Sequence, residues 1–153
     1  MRIGDLMDKS LIIPNLSPRN KREVLRELVE CIVKKETDIN SNDLLRVLLE
    51  REELGSTGIG DGIAIPHGKV TKINKLVVSC GRSIQGVDFQ SMDGKPTHII
   101  FLLIAPENSA GVHLKALARI SRLLKDGEFR KRLMQANTTD EMYDIIIHED
   151  EKY

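Results

Sequence analysis

Residues 97–104, THIIFLLI, constrain the fold most. After Thr97 and His98, the six residues 99–104 are all strongly apolar, with no alternation of polar and apolar positions. Such a run is typical of a central β-strand that is covered on both faces, since an exposed face would need alternating polar residues. Residues 76–80, LVVSC, predict a shorter neighbouring strand. The chain therefore needs other elements to cover both sides of a sheet.

Helical periodicity supplies those elements, with two helices predicted before the strands and three after them. The predicted ranges are about 18–35, 41–55, 112–127, 128–135 and from 138 onward. With 153 residues and 41% hydrophobic content, the chain is long enough to bury one core. We therefore expect a single domain over residues 1–153, an α/β sandwich with a mixed sheet.

Polar residues at the ends of these patterns predict the helix caps. Ser17 and Ser41 are expected to cap the first and second helices, and Thr138 to open a capping box in front of the last one. Leu54 is expected to lie on the inner side of the second helix, which Gly55 would end.

Charge and cysteine content narrow the function classes. Lys and Arg together number 23, as do Asp and Glu, and this balance argues against a general nucleic-acid or membrane surface. No run reaches transmembrane length and charges interrupt the first residues, so we expect a soluble cytoplasmic protein without a signal peptide. Cys31 and Cys80 are the only cysteines, and we expect them to be reduced core thiols rather than a disulfide or a zinc site.

Residues 51–69, REELGSTGIGDGIAIPHGK, hold five of the eleven glycines and one histidine. Such density indicates backbone that turns tightly or is approached closely. Pro66 fixes its own φ angle, so His67 is expected to stand on a stiff stem with an open flank at Gly68. This arrangement suits a side chain that meets a group arriving from outside.

A histidine of this kind is suited to phosphoryl transfer, because a neutral imidazole nitrogen attacks phosphorus without much activation. The phosphoryl oxygens then need a cation and hydrogen-bond donors. Arg51 is the candidate cation, and His113 is predicted in the first turn of a helix, where free N–H groups favour an anion. The backbone of residues 58–62 is a further candidate donor.

Each of these residues also has a plainer interpretation. Taken alone, His67 would be interpreted as a surface histidine, Arg51 as a solvated charge at a helix end and His113 as a helix-cap or packing residue. His98, inside a strand, is expected to be structural or edge-facing, and His148 to be solvated.

Two ordered sets of residues resemble the fructose/mannitol-type enzyme IIA domain of the bacterial phosphoenolpyruvate-dependent phosphotransferase system. The first set, with its active-site signature, is residues 49–52, 55–60 and 65–69, and the second is 93–96, 101–107 and 113–119. The resemblance covers nearly the whole chain. It implies a mixed β-sheet flanked by helices on both faces, the enzyme IIA fold of this family, with no metal and no organic cofactor.

The same resemblance implies roles for three residues. His67 would accept the phosphoryl group, Arg51 would be the active-site arginine, and His113 would position the accepting imidazole and stabilise the phosphoryl group. The donor would be a small phosphohistidine carrier protein of the HPr type or its nitrogen-branch counterpart.

A free-standing domain with residues 21–25, KREVL, after a short apolar segment looks most like the nitrogen-regulatory subfamily. There the phosphorylation state signals to partners such as potassium transport or sensor proteins. Two alternatives stay open: a fructose- or mannitol-specific IIA that passes the group to a IIB component, and a non-catalytic regulatory binding module.

Overall fold

The computed structural model describes residues 1–153 and shows one mixed sheet of six strands with five α-helices. The strands are β1 Ile12–Ile13, β2 Gly58–Gly60, β3 Ile63–Ala64, β4 His67–Val70, β5 Val77–Val87 and β6 Thr97–Pro106. The helices are α1 Lys21–Lys35, α2 Ser41–Glu53, α3 Ala110–Lys125, α4 Gly127–Gln135 and α5 Thr139–Asp150. Two short 3-10 helices, Ile3–Asp5 and Lys9–Leu11, precede β1.

Strand β6 is the centre of the sheet. It pairs antiparallel with β5 on one side and parallel with both β3 and β4 on the other. Strand β1 extends the sheet beyond β5, and β2 extends it beyond β3. Residues 99–105 of β6 are all buried, which confirms the prediction of a central strand covered on both faces.

Two consecutive residues of β5 show that helices cover opposite faces of the sheet. A Cβ atom on Gly81 would meet Leu28 of α1 at 3.0 Å, whereas Arg82 donates to the carbonyl oxygens of Leu133 in α4 and Ala136 just after it. Successive residues of a strand point to opposite faces, so α1 and α4 lie on different sides. The predicted α/β fold with helices on both faces is confirmed.

Two of the three predicted helix caps are wrong by one or a few residues. Asn20 caps α1 by accepting from the Glu23 N–H at 2.9 Å, and Asn40 caps α2 by accepting from the Asp43 N–H at 3.0 Å. Asparagine and serine are nearly equal as N-caps, so neighbouring candidates compete on equal terms. Thr138 caps α5 as predicted, accepting from the Glu141 N–H at 3.1 Å.

Three element ends also differ from the prediction. Strand β5 continues well past Cys80 to Val87. The prediction ended it too early, because the small and polar residues of its second half do not show a strand pattern. Helix α3 begins at Ala110 rather than at 112 or 113. Leu54 is the C-cap residue of α2 and is 85% exposed, so its predicted place on the inner side of that helix is wrong.

Gly68 has no open flank, contrary to expectation. A Cβ atom at this position would lie 2.8 Å from Val47 Cγ1 and 3.5 Å from Leu48 Cδ2, so the glycine lets α2 pack directly against β4. This close approach brings the end of α2 next to the first residue of β4.

Replacing Gly68 by alanine is expected to lower the free energy of unfolding by about 1–3 kcal/mol, because the added methyl group overpacks the contact with Val47. Urea unfolding of the variant and the wild type measures the difference. Gly111→Ala is the matched control, since nothing lies within 4 Å of the Cβ position there. Equal loss of stability in both variants would show that the α2–β4 contact is not the cause.

The helices of this structure are either too short or too polar to cross a bilayer. Cys31 and Cys80 are both free, the first half-buried and the second buried. Burial raises the pKa of the Cys80 thiol to about 12, as expected of a core thiol that takes no part in chemistry.

Candidate active site

His67 is the first residue of β4, where it pairs with Leu103 of the central strand and is half-buried. Its Nδ1 atom lies 2.9 Å from the carbonyl oxygen of Ile65. A carbonyl oxygen only accepts hydrogen bonds, so this contact places the ring proton on Nδ1. The lone pair of the neutral ring is then on Nε2.

Arg51, in the last turn of α2, meets that nitrogen. Its Nε–H donates to His67 Nε2 at 3.3 Å, and its Nη1 donates to the carbonyl oxygen of Gly55 at 3.0 Å. Nη2 forms no hydrogen bond within the protein, so the guanidinium retains free donors beside the imidazole. These donors are available to an anion that arrives at Nε2.

His113 is the second neighbour of His67. The two ring centroids are 5.5 Å apart and the ring planes are nearly perpendicular, at 82°. His113 is the fourth residue of α3, and its backbone N–H already donates to the Ser109 carbonyl oxygen at 2.8 Å. It therefore faces the site with its side chain only, and the free backbone donors of α3 belong to residues 110–112.

The His113 ring is uncharged at neutral pH. Burial, and next the neighbouring His67 and Lys69, lower the pKa of His113 below its ordinary value. Its Nδ1 atom is buried without a hydrogen-bond partner. We therefore assign the proton of the neutral ring to Nε2, because this tautomer leaves only an acceptor, and not an N–H group, buried without a partner.

The three predicted site residues thus come together from three elements that are distant in sequence: the end of α2, the start of β4 and the first turns of α3. The fold places a guanidinium and a second, neutral imidazole next to the His67 ring, which bears the unprotonated nitrogen. Such a set is suited to receive a phosphoryl group.

The glycine-rich turn at residues 60–62 does not join them. Ile63 pairs with Ile99 and His67 with Leu103, so the start of β3 is ~13 Å from His67 along the sheet at the usual rise per residue. The N–H of Gly58 donates to Ser56 Oγ at 3.0 Å and is already occupied. The N–H of Asp61 is likewise occupied, since it donates to Asp93 Oδ2 at 3.3 Å, so Gly58 and Asp61 are not available as the phosphate donors that the sequence predicted in this segment.

The remaining histidines lie outside the site, as predicted. His98 Nδ1 is 2.9 Å from the carbonyl oxygen of Ser83, which gives this strand residue a structural contact. His148 is exposed on α5. No group of three or more His, Cys, Asp or Glu side chains is arranged to hold a metal ion.

The sequence alone indicates no role for two residues near the site. Lys69 follows His67 by two positions, and its positive charge helps to lower the pKa of His113. Glu52 is 7% exposed, and a signal for its burial was present in the helical period, since Glu52 falls four residues after Leu48 and seven after Leu45. A charge at a core position needs partners.

The lowered pKa of His113 predicts a pH dependence of stability. The unfolded chain, with the ordinary pKa of 6.5, binds a proton more readily than the folded one, so this group makes stability fall as the pH drops through 6.5 and below. His113→Gln should flatten this part of the curve, measured by urea unfolding at several pH values. His148→Gln, at an exposed position, is the control, and an equally steep curve for His113→Gln would contradict the assignment.

Comparisons with known proteins identify the family of this chain. Residues 5–149 match the family model described as "Phosphoenolpyruvate-dependent sugar phosphotransferase system, EIIA 2". A nitrogen regulatory protein of Bradyrhizobium diazoefficiens is 41% identical over 146 residues, covering 95% of both chains. The fructose-specific EIIABC component of Bacillus subtilis is 39% identical over 98% of this chain, which spans 24% of that longer protein.

A solved structure leads to the same family. The crystal structure of the nitrogen regulatory protein IIA-Ntr from Neisseria meningitidis superimposes with a TM-score of 0.88 at 31% identity, covering 94% of this chain and 98% of that one. The family model covers far more than half of the residues and the similarity extends from fold to sequence. The chain therefore belongs to the EIIA type 2 family of the phosphoenolpyruvate-dependent sugar phosphotransferase system.

Proposed function

We propose that this protein is a phosphoryl carrier in which His67 Nε2 accepts a phosphoryl group from an HPr-type phosphohistidine protein. The observation that carries the proposal is the pair of contacts on one imidazole: Nδ1 is tied to the Ile65 carbonyl oxygen and Nε2 meets the Arg51 guanidinium. The ring is thereby held in the tautomer whose nucleophilic nitrogen points at a cation.

The reaction is an exchange of one P–N bond for another. The Nε–H of Arg51 turns from His67 Nε2 to the phosphoryl oxygens as the group arrives. The lone pair of His67 Nε2 then attacks phosphorus, the P–N bond of the donor's phosphohistidine breaks, and the donor imidazole, protonated on its other nitrogen, leaves as a neutral ring with the electron pair of that bond. The Nδ1 proton of His67 stays in place, donating to Ile65 O, and supports the positive charge that develops on the ring.

Arg51 and His113 support the transferred group in different ways. The guanidinium offers charge-assisted hydrogen bonds to the phosphoryl oxygens from the side of α2. His113, neutral and protonated on Nε2, donates a hydrogen bond from the side of α3 without adding a second positive charge next to His67. No metal or organic cofactor is required for these steps.

We further propose a regulatory, nitrogen-related output, because the 41% identical Bradyrhizobium relative is a nitrogen regulatory protein of matching length. The phosphorylation state would then change the affinity for target proteins, such as potassium transport or sensor proteins. Such a carrier would work in the cytoplasm, together with its phosphohistidine donor.

A sugar-specific role is the second candidate, favoured by the 39% identity to the fructose-specific EIIABC component of Bacillus subtilis. The two roles differ in the recipient. A sugar-specific IIA passes its phosphoryl group rapidly to a fructose or mannitol IIB component, whereas a regulatory one retains the group in the presence of that component.

The carrier chemistry is tested by intact-mass measurement after incubation with phosphoenolpyruvate, enzyme I and either a general or a nitrogen-branch HPr. We expect one phosphate per chain, lost on acid treatment because a P–N bond is acid-labile. No adduct with either donor would contradict the proposal and favour the non-catalytic binding module.

A further inference from the structure

A buried carboxylate lies directly behind the site. The side chain of Glu52, in the last turn of α2, is only 3% exposed, although the neighbouring Glu53 is exposed. A charge in such a place is costly unless it is paired and fully hydrogen-bonded. Its partners therefore show what the residue holds in place.

Glu52 binds the segment that follows its own helix. Oε1 accepts the backbone N–H of Thr57 at 3.0 Å and an ion pair from Lys21 of α1 at 2.9 Å, while Oε2 accepts the Thr57 hydroxyl. The Lys21 ammonium also contacts Ser56 Oγ at 3.5 Å and lies 5.0 Å from the Phe89 ring centroid. Residues 55–57 are thus clamped between α1 and α2.

The clamped segment holds the guanidinium of the site. The carbonyl oxygen of Gly55 accepts from Arg51 Nη1 at 3.0 Å, and Arg51 Nε then reaches His67 Nε2 at 3.3 Å. Because Arg51 has many rotamers, the Gly55 carbonyl selects the one that faces the imidazole.

The same segment also holds the imidazole. The carbonyl oxygen of Thr57 accepts the Ile65 N–H at 3.1 Å, and the carbonyl oxygen of Ile65 accepts from His67 Nδ1 at 2.9 Å. Both partners of the reactive contact are therefore connected to residues 55–57, one through Gly55 and the other through Thr57.

We infer that Glu52 is a positioning residue that holds the Arg51 guanidinium and the His67 tautomer through the segment 55–57. It touches neither the reacting nitrogen nor the approaching phosphoryl group, and Lys21 neutralises its charge. As far as it concerns transfer rates, the inference rests on the proposed function, whereas the tautomer of His67 is a property of the resting protein.

The first arm of the test therefore uses the unphosphorylated full chain. Long-range ¹H–¹⁵N correlation spectra at a pH where His67 is neutral report which ring nitrogen carries the proton. In wild type and in the control Glu53→Gln we expect the Nδ1–H form alone. In Glu52→Gln and in Thr57→Val we expect a mixture of tautomers, with Thr57→Ser restoring the wild-type spectrum because it keeps the hydroxyl.

The second arm measures single-turnover transfer from a phosphorylated HPr-type protein. Glu52→Gln should slow transfer about 10- to 100-fold, the usual effect of a small misplacement of reacting groups. Combined with Arg51→Ala, Glu52→Gln should slow transfer by a smaller factor, because the guanidinium that Glu52 orients is then absent. If Glu52→Gln does not fold, Thr57→Val replaces it in this measurement, because Thr57→Val leaves the Glu52 carboxylate paired with Lys21.

The outcomes separate the two proposals. An unchanged tautomer in both Glu52→Gln and Thr57→Val, or an equal fold-loss with and without Arg51, would overturn the positioning role. A wild-type protein that accepts no phosphoryl group would overturn the carrier function, and the spectra alone would then decide whether Glu52 positions His67.

Discussion

His67→Ala is expected to abolish phosphoryl uptake completely while the protein remains folded. The nucleophilic nitrogen is lost, and we expect no replacement by His113, since its Nδ1 atom is buried and its Nε2 atom is the one to which we assign the proton. The side chain of His67 is half-buried at the edge of the core, whereas the strand pairing of β4 is made by its backbone. Intact mass after incubation with the donor system, together with circular dichroism, measures both properties.

His148→Ala is the control for this experiment, because it removes an exposed imidazole from α5 and should leave uptake at one phosphate per chain. Undiminished uptake by His67→Ala would place the acceptor elsewhere. Unfolding of His67→Ala would instead show that the residue is needed mainly for packing.

Arg51→Ala is expected to slow transfer onto His67 about 100- to 1000-fold, or roughly 3–4 kcal/mol, by analogy with the removal of one donor from an oxyanion site. The loss comprises the contact that orients His67 Nε2 at 3.3 Å and the free guanidinium donors beside it. Arg51→Lys should recover little, because an ammonium cannot reproduce the forked geometry. Quenched-flow measurement of phosphoprotein formation gives the rates.

The matched control is Arg46→Ala, on the same helix. Arg46 is exposed and forms ion pairs with Asp43 and Glu50, which are worth little in water. Its removal should leave the transfer rate within about twofold, because Arg46 has no contact with His67 and its ion pairs contribute little. Equal rates for Arg51→Ala and the wild type would remove Arg51 from the mechanism.

Much of the fold was predictable from local pattern. The apolar run in β6 and the helical periodicity led to a central strand between helix layers, which the structure confirms. The second half of β5 was not predictable in this way, because Gly81, Ser83 and Gly86 are poor strand formers that are accommodated by tertiary contacts. The caps at Asn20 and Asn40 were missed because neighbouring serines are equally good candidates.

The site was predictable as a set of residues but not as an arrangement. Arg51, His67 and His113 were selected from motif and chemistry, and the fold brings them together. The tautomer of His67 depends on the Ile65 carbonyl, and the close approach of α2 depends on the absence of a side chain at Gly68. The first depends on the conformation that the short segment 65–67 adopts beside the central strand, and the second is a long-range packing relation, so residue type alone predicts neither.

The most direct test of the account identifies the phosphorylated atom in the wild-type protein. Long-range ¹H–¹⁵N spectra of the phosphoprotein, labelled with ¹⁵N in histidine, distinguish phosphorus on Nε2 from phosphorus on Nδ1. Because Nδ1 is occupied by the Ile65 carbonyl and Nε2 faces Arg51, we predict that His67 alone is modified and that Nε2 bears the group. Phosphorylation on Nδ1 of His67, or on any other residue, would contradict the proposal that His67 Nε2 is the acceptor.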